Sequence, residues 1–381
     1  MNYRNIPRLI YKALRQPGYA LRVFVVRLIA LFFYWFGKGK AFCPEAITFF
    51  LTYRCNLSCV MCGQNNSRSN SKDAKQDLTF GLAENVIKEV SKFRPNITLF
   101  GGEPLLNKDC FKIIYQIKKS RMHFLVITNG ALVEDFAESI VNSGLDELNV
   151  SIDGKGELHD RIRGMPGLYD KIIKGLNKIA DLKQKGNKNL PLVNIQCTAT
   201  KYNLEHLEEL LDVAPLASAD SLTFHNLIFT SSELMDKQKI VDNELKCKSE
   251  YWNGFIFDPG FDGEILNKKF RLIRKIWKEK VKTGKFFSLD FYPNFTSKEL
   301  EEYYRKDFRT KGTCLSPWIT AYVFPEGDLR PCLNSDYSFG SVMDLGFNSS
   351  WNSEQALRFR RLLKNKSLFP GCIRCTELYR Y

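Results

Sequence analysis

The chain has 381 residues, of which 44% are hydrophobic and 26% charged, a composition typical of a globular protein of about two domains. Its net charge of +14 is concentrated in residues 1–44, which contain eight Lys and Arg residues and no Asp or Glu. The remaining chain is close to neutral, which excludes an extended nucleic-acid-binding surface, so we expect no nucleic-acid partner. The 11 cysteines include closely spaced groups and are odd in number, which favours metal ligation in a reducing compartment over a disulfide framework.

The basic N-terminal segment, residues 1–44, contains an aromatic and aliphatic stretch over 19–36. Its uninterrupted apolar run, 28–36, is shorter than the roughly 20 residues that span a bilayer. Apolar residues flanked by cations, without acids, predict a helix lying on an anionic membrane surface. A secretory signal is disfavoured because no small-residue cleavage site follows, and a helix packed on the folded domain or on a partner subunit is the other alternative. We therefore expect a cytoplasmic protein, peripheral at the inner face of the membrane.

Residues 45–228 alternate short apolar runs with helical patterns. This alternation predicts parallel strands joined by right-handed crossovers. Six units are too few for a complete eight-fold barrel, so we predict an α/β fold with a partial (β/α)6 TIM-like barrel. Its chemistry is expected at the carboxyl ends of the strands. The predicted strands are 47–53, 97–101, 124–128, 146–152, 192–199 and 221–228, and the predicted helices lie near 80–93, 108–120, 131–143, 169–185 and 203–213.

Three cysteines, Cys55, Cys59 and Cys62, follow the first predicted strand. A four-iron cluster normally takes one thiolate per iron, so three closely spaced thiolates leave one iron without a protein ligand. An open metal position is typical of a site that binds a reactant. A zinc knuckle would need a fourth Cys or His at short range, and none lies between residues 63 and 110. Three buried thiols without a metal are the other alternative.

The second predicted strand ends in Gly101-Gly102-Glu103-Pro104. Glycines let a backbone approach a ligand closely, and a carboxylate can pair with an ammonium group. Taken alone, the same four residues could form a tight turn with a surface Glu.

Polar residues also follow the fourth and fifth predicted strands. Ser151 and Asp153 alternate onto one face, where both could bond hydroxyl groups, although Asp153 could also belong to an Asp-Gly turn. The guanidinium of Arg163 suits a carboxylate, whereas Arg161 is expected at the surface. Thr198 could face a ligand or be an ordinary strand threonine.

The C-terminal third contains a second cysteine group. Residues 229–312 are polar, aromatic and basic, with predicted helices at 266–282 and 297–309, and are expected to form a connecting or lid segment. Residues 313–381 are predicted to form a small α+β cysteine-rich iron–sulfur domain, with a hairpin turn at 325–328. Four thiolates can close either a four-iron cluster or a zinc site completely. The four cysteines are Cys314, Cys332, Cys372 and Cys375.

The CxxxCxxC run followed by GGEP resembles the signature of the radical S-adenosylmethionine (radical SAM) enzymes, and residues 314–375 resemble a shortened SPASM, or twitch-like, extension. The resemblance implies that the iron left free by Cys55, Cys59 and Cys62 binds SAM. It also implies an electron donor such as flavodoxin or ferredoxin, a 5′-deoxyadenosyl radical that takes a hydrogen atom, and one auxiliary [4Fe-4S] cluster. Implied SAM contacts are Gly101, Gly102 and Glu103 for the amine, Ser151 and Asp153 for the ribose, Arg163 for the carboxylate, and Thr198.

The reaction outcome and the substrate are less constrained. An auxiliary cluster that accepts an electron would give net oxidation, as in an oxidoreductase, whereas Cys197 or Cys247 facing the cavity could donate hydrogen for epimerisation. The basic, apolar N-terminus favours a membrane-associated or lipid-linked substrate. A peptide and a sugar or aminocyclitol are alternatives. A non-catalytic iron–sulfur or electron-transfer protein is a further alternative, which the intact cysteine triad disfavours.

Overall fold

The computed structural model describes residues 17–64, 76–284, 286–310 and 312–380, with side chains from residue 21 onward. Within these ranges one ten-stranded sheet runs through the molecule, in the order β10-β9-β8-β1-β2-β3-β4-β5-β6-β7. Strands β1 to β8 pair in parallel, and β9 and β10 are antiparallel to their neighbours. The strands are β1 (Ala46–Phe50), β2 (Asn96–Phe100), β3 (Phe124–Thr128), β4 (Glu147–Ser151), β5 (Leu192–Thr198), β6 (Ser221–His225), β7 (Ser288–Tyr292), β8 (Thr320–Val323), β9 (Asp328–Arg330) and β10 (Gly340–Ser341).

Helices connect the parallel strands. The first crossover helix begins where the Thr79 hydroxyl accepts a hydrogen bond from the Leu82 amide, and it buries Leu82, Val86 and Val90. The helices are α1 (Pro17–Phe36), α2 (Phe80–Val90), α3 (Cys110–Lys119), α4 (Val133–Asn142), α5 (Glu157–Arg163), α6 (Leu168–Lys185), α7 (Leu210–Leu216), α8 (Ser232–Leu245), α9 (Gly263–Thr283), α10 (Ser297–Tyr303), α11 (Ser316–Ile319), α12 (Gly346–Trp351) and α13 (Glu354–Lys366). The six predicted strands and the helices between them are present, and most of their ends lie within three residues of the prediction.

The parallel sheet continues beyond residue 228, where the sequence pattern predicts that it stops. β7 pairs with β6 in parallel, after a long crossover that contains α8 and α9. Only one of the five residues of β7, Phe291, is buried. Its sequence, Ser-Leu-Asp-Phe-Tyr, lacks the continuous apolar run by which the other strands are recognised. Residues 229–312 are thus more than a connection, because they supply an edge strand of the barrel.

The C-terminal segment joins the same sheet at its opposite side. β8 lies beside β1, and the turn at residues 324–327 leads into antiparallel β9, as the predicted hairpin requires. Phe50 of β1 stacks on Phe324, with ring centroids 5.1 Å apart. The carboxyl end of β1, which leads into the first cysteine group, therefore lies next to the strand that stands between Cys314 and Cys332 of the second group.

One face of helix α1 packs on the domain, and the opposite face is exposed. Ala30 and Tyr34 are buried, and Arg27 forms a bidentate ion pair with Glu45, with N–O distances of 2.6 and 2.9 Å. In the described part of the chain no helix combines the length and apolar character needed to cross a bilayer. The exposed large apolar residues of α1 are Leu21, Phe24, Val25, Leu28, Leu31, Phe32, Trp35 and Phe36.

Candidate active site

The loop that carries Cys55, Cys59 and Cys62 is fastened to two neighbouring strand ends. Gly102 N donates to Thr52 O and Glu103 N donates to Arg54 O, both at 2.8 Å. On the other side of the loop, Val60 N donates to the carbonyl of residue 162, at 3.0 Å. The cysteine loop is thereby held between the GGEP segment and α5.

The two glycines of GGEP make this close approach possible. A Cβ on Gly102 would lie 2.1 Å from Arg54 O, and one on Gly101 would lie 2.6 Å from Thr52 O. Gly101 also has a φ of +149°, which side-chain-bearing residues rarely adopt. The sequence predicts that these glycines admit a ligand. The structure shows that they admit the backbone of the cysteine loop itself.

Glu103 is fully buried beneath the loop. Its carboxylate accepts hydrogen bonds from Thr128 Oγ1 at 2.8 Å, Asn129 N at 2.8 Å and Leu105 N at 3.1 Å. Burial raises the pKa of Glu103 to about 6, while these donors oppose the rise by favouring the charged form. The side chain thus ties β3 to the GGEP turn and is mostly ionised at neutral pH.

Asn129, at the end of β3, was not predicted from the sequence. Its Nδ2 lies 2.8 Å from Asn56 Oδ1 and 3.8 Å from Cys55 Sγ. The Thr-Asn-Gly that ends an apolar strand was the available signal, because polar residues at strand carboxyl ends line the site of such barrels.

Asp153 and Arg163 form a buried ion pair beside Cys59. Arg163 Nε and Nη2 lie 2.6 and 2.5 Å from Asp153 Oδ2, and Arg163 Nη1 lies 3.8 Å from Cys59 Sγ. Asp153 Oδ1 accepts the Thr198 amide at 2.9 Å. Three of the implied SAM contacts are therefore bonded to one another. Ser151 is the half-buried last residue of β4, and Arg161 is at the surface, as expected.

His159 contacts the backbone of Asp153. Its Nδ1 accepts the backbone N–H of Asp153 at 3.1 Å, so that nitrogen carries no proton. Burial, assisted by the charge of Arg163, lowers the pKa of His159 to about 3, so the ring is neutral at physiological pH. His159 therefore adds no charge to the Asp153–Arg163 pair.

Burial affects the ionisation of two thiols of the first group, Cys55 and Cys59. Burial raises the pKa of Cys59 to about 11, against the lowering effect of Arg163, and burial also raises the pKa of Cys55. Both thiols interact electrostatically with Cys62. Among the described residues no three Cys, His, Asp or Glu side chains already surround one point closely enough to hold a metal ion. The argument that this loop can hold an iron–sulfur cluster therefore rests on ligand chemistry. Three cysteines on one short loop supply three soft thiolates, which are the ligands of such a cluster.

In the second cysteine group Cys314 is buried, and Cys332, Cys372 and Cys375 are partly buried. Burial raises the pKa of Cys314 to about 12 and those of Cys372 and Cys375 well above the usual value. Cys372 interacts electrostatically with Cys314, Cys332 and Cys375, so the four thiols predicted as one ligand set lie together. Neighbouring thiolates repel one another, which raises the pKa of each thiol. A bound metal cation offsets this repulsion and stabilises the thiolate form.

Comparison with known proteins agrees with this geometry. A family model for the Radical SAM superfamily matches residues 49–214, and one for the SPASM iron–sulfur cluster-binding domain matches residues 314–376. The AdoMet-dependent heme synthase of Methanosarcina barkeri is 33% identical over 346 residues, covering 87% of this chain and 88% of that protein. This chain belongs to the radical SAM superfamily.

Two further proteins resemble part of the chain or its fold. The Fe-coproporphyrin III synthase of M. barkeri is 26% identical over 242 residues, 61% of this chain and 56% of that protein. The crystal structure of Streptococcus suis SuiB bound to precursor peptide SuiA has a TM-score of 0.61 at 14% identity, covering 84% of this chain and 66% of that one. The latter likeness establishes the partial-barrel fold and nothing about the substrate.

Membership confirms the main predictions from the sequence. The protein is a radical SAM enzyme. Its radical SAM domain binds a [4Fe-4S] cluster and SAM, and its SPASM domain is an auxiliary iron–sulfur cluster-binding domain. The ligand assignments stay predictions: Cys55, Cys59 and Cys62 for the first cluster, and the four C-terminal cysteines for the auxiliary one. Like other radical SAM enzymes, the protein requires a reductant. Cys197, weighed as a hydrogen donor, is fully buried and accepts from Asn203.

Proposed function

We propose that this enzyme removes a hydrogen atom from an organic substrate and completes an oxidation by passing an electron to its auxiliary cluster. The observation that carries the proposal is the placement of β8 beside β1, since it brings the four-cysteine site next to the strand that ends in the SAM-cluster loop. When bound, the first cluster and SAM supply a one-electron cleavage that yields a 5′-deoxyadenosyl radical. Flavodoxin or ferredoxin is the proposed reductant.

The chain's own residues would bind and orient SAM. Glu103 and the GGEP backbone are proposed to accept from the SAM amine, and Ser151 to bond the ribose. Arg163 would reach the SAM carboxylate through the terminal N–H groups that Asp153 leaves free, because Nε and one N–H of Nη2 are engaged by Asp153. Asp153 and Thr198 are accordingly proposed to act by fixing Arg163 rather than by bonding the ribose directly.

Anaerobic reconstitution with iron, sulfide, SAM and dithionite tests the enzymatic activity. We expect 5′-deoxyadenosine from the native chain and none above background from Cys55→Ala, because two thiolates cannot hold the cluster in this loop. Cys43→Ala removes a half-buried cysteine outside both groups and is the matched control, expected to retain activity. Equal product from Cys55→Ala would overturn the proposal, and absence of product from the native chain would favour a non-catalytic electron-transfer protein.

The proposed location of the substrate is an anionic membrane surface at the inner face of the membrane. The support is α1, whose apolar residues recur every three or four positions on its outer face while Ala30 and Tyr34 face the domain. Exposed Lys38 and Lys40 follow its carboxyl end, and Lys364 of α13 donates to Trp35 O. An apolar stripe bordered by cations fits a bilayer that contains anionic lipids. A lipid-linked or membrane-partitioned substrate follows from this location.

A tetrapyrrole is the second candidate, favoured by the heme synthase that matches most of the chain. Fe-coproporphyrin III, named in another relative, is a suitable probe. Turnover would raise 5′-deoxyadenosine above the substrate-free background, and deuterium from labelled probe would appear in the 5′-deoxyadenosine. If membrane lipid extract gives this transfer and the porphyrin does not, the lipid class is supported instead. Transfer from neither would favour the peptide or sugar alternatives.

A further inference from the structure

Two side-chain N–H groups point at sulfur atoms of the SAM-cluster loop. Arg163 Nη1 lies 3.8 Å from Cys59 Sγ, and Asn129 Nδ2 lies 3.8 Å from Cys55 Sγ. Both distances are those of N–H···S hydrogen bonds, but only the first donor carries a charge. Cys59 therefore faces the positive charge of Arg163.

Hydrogen bonds to Asp153 fix the position of the Arg163 side chain, and Asp153 is itself held by neighbouring groups. Asp153, whose side chain is fully buried, engages both Nε and Nη2, and Oδ1 of the same carboxylate is fixed by the Thr198 amide. The backbone carbonyl of Asp153 accepts from Asn203 Nδ2 at 2.8 Å. Because the carboxylate of Asp153 has three such contacts and its backbone carbonyl a fourth, the guanidinium of Arg163 has little freedom to move away from Cys59.

We propose that Arg163 is a positioning and tuning residue for the SAM-binding cluster, acting on Cys59 through Nη1 and held there by Asp153. A reduced [4Fe-4S] cluster carries one more negative charge than the oxidised one, and hydrogen bonds to its sulfurs favour the more negative state. A cation on a thiolate ligand in a water-poor site therefore makes the one-electron reduction easier. This role exists before SAM binds, so it differs from contact with the SAM carboxylate.

The inference rests on the proposed cluster at Cys55, Cys59 and Cys62, and its test separates the two claims. Iron content and the electron paramagnetic resonance signal of the dithionite-reduced, SAM-free protein report whether the cluster is present. The midpoint potential of that signal, measured by redox titration, reports whether Arg163 tunes it. Loss of the signal from the native chain would reject the cluster itself, whereas a present but unshifted cluster would reject only the tuning.

Arg163→Gln is the principal variant, because glutamine keeps an N–H donor and removes the charge. We expect its midpoint potential to become more negative than that of the native protein, so that a smaller fraction is reduced at a fixed potential. Arg163→Lys keeps the charge and is expected to lie between the two, which preserves the test if Arg163→Gln fails to load iron.

Arg161→Gln is the matched control on the same helix. Its side chain is 69% exposed and pairs with Glu157 at the surface, so it makes the same charge change away from the cluster. We expect no shift for this variant, because solvent and salt screen its charge. Equal potentials for Arg163→Gln and the native protein, or an equal shift for Arg161→Gln, would overturn the inference.

Discussion

At the scale of single residues, Glu103 is a buried carboxyl group whose pKa depends on two opposing influences. Three donors favour its ionised form, yet burial is the larger influence and the pKa rises to about 6. In the unfolded chain the ordinary value is 4.5. The folded protein therefore holds the Glu103 proton more tightly than the unfolded chain, so ionisation of this group opposes folding as the pH rises from 4.5 through 6.

We predict the consequence for the free energy of unfolding of the metal-free protein. The native value minus that of Glu103→Gln should fall between pH 4.5 and pH 7 by about 2 kcal/mol, which corresponds to the pKa rise at about 1.4 kcal/mol per unit. Denaturant unfolding of both proteins at several pH values measures this difference. Because other titrating groups are common to both proteins, their contributions cancel. A difference that stays constant or grows with pH would contradict the buried, raised-pKa carboxylate.

At the scale of elements, α1 is built from two unlike faces. The inner face buries Ala30 and Tyr34 and is fastened by the Arg27–Glu45 ion pair. Tyr34 packs edge-to-face on Trp318 of α11, with ring centroids 5.0 Å apart, so the helix contacts the C-terminal region as well as Glu45, the residue before β1. The outer face is apolar and open.

We predict that the native chain sediments with vesicles containing phosphatidylserine and less with pure phosphatidylcholine vesicles. A triple variant, Leu28→Glu, Phe32→Glu and Trp35→Glu, should weaken binding at least about 100-fold, because each side chain contributes about 1.5–3 kcal/mol when it leaves water. Tyr115→Glu, on the exposed face of α3, is the control and should bind as the native chain does. Equal binding by the triple variant would contradict the membrane-facing role, and a native chain that dimerises through α1 instead would identify a second copy as the occupant.

At the scale of the whole molecule, the two family regions share one sheet. β8 forms the neighbour of β1, and Trp318 and Phe324, which flank that strand, are buried. The C-terminal region is thus a structural part of the barrel as well as a carrier of cysteines.

We predict that a chain ending at residue 312 cannot fold as the radical SAM region alone. Loss of β8 would expose the edge of β1 and the aromatic rings packed on it, which favours aggregation. The double variant Cys372→Ser and Cys375→Ser removes auxiliary ligands but keeps β8, and should remain folded in the metal-free state. Circular dichroism and size-exclusion chromatography distinguish the two. A monomeric, cooperatively folded 1–312 chain would contradict the shared sheet.

The sequence by itself determined the features that local patterns encode. The spacing of Cys55, Cys59 and Cys62, the GGEP motif and the apolar strands β1 to β6 identified the family and the partial barrel, because each is written in consecutive residues. The second cysteine group was likewise readable from its spacing and its hairpin turn.

Only the tertiary structure decided which distant residues meet. Arg163 and Cys59 are separated by 104 positions, and Asn129 and Cys55 by 74, so no local periodicity links them. β7 was missed because its faces are only partly buried, and β8 joined β1 through a pairing between opposite ends of the chain. The tertiary structure also explains why two positions of GGEP are glycine. A backbone carbonyl of the segment that leads into the cysteine loop occupies the space that a side chain would need, and this contact exists only in the folded chain.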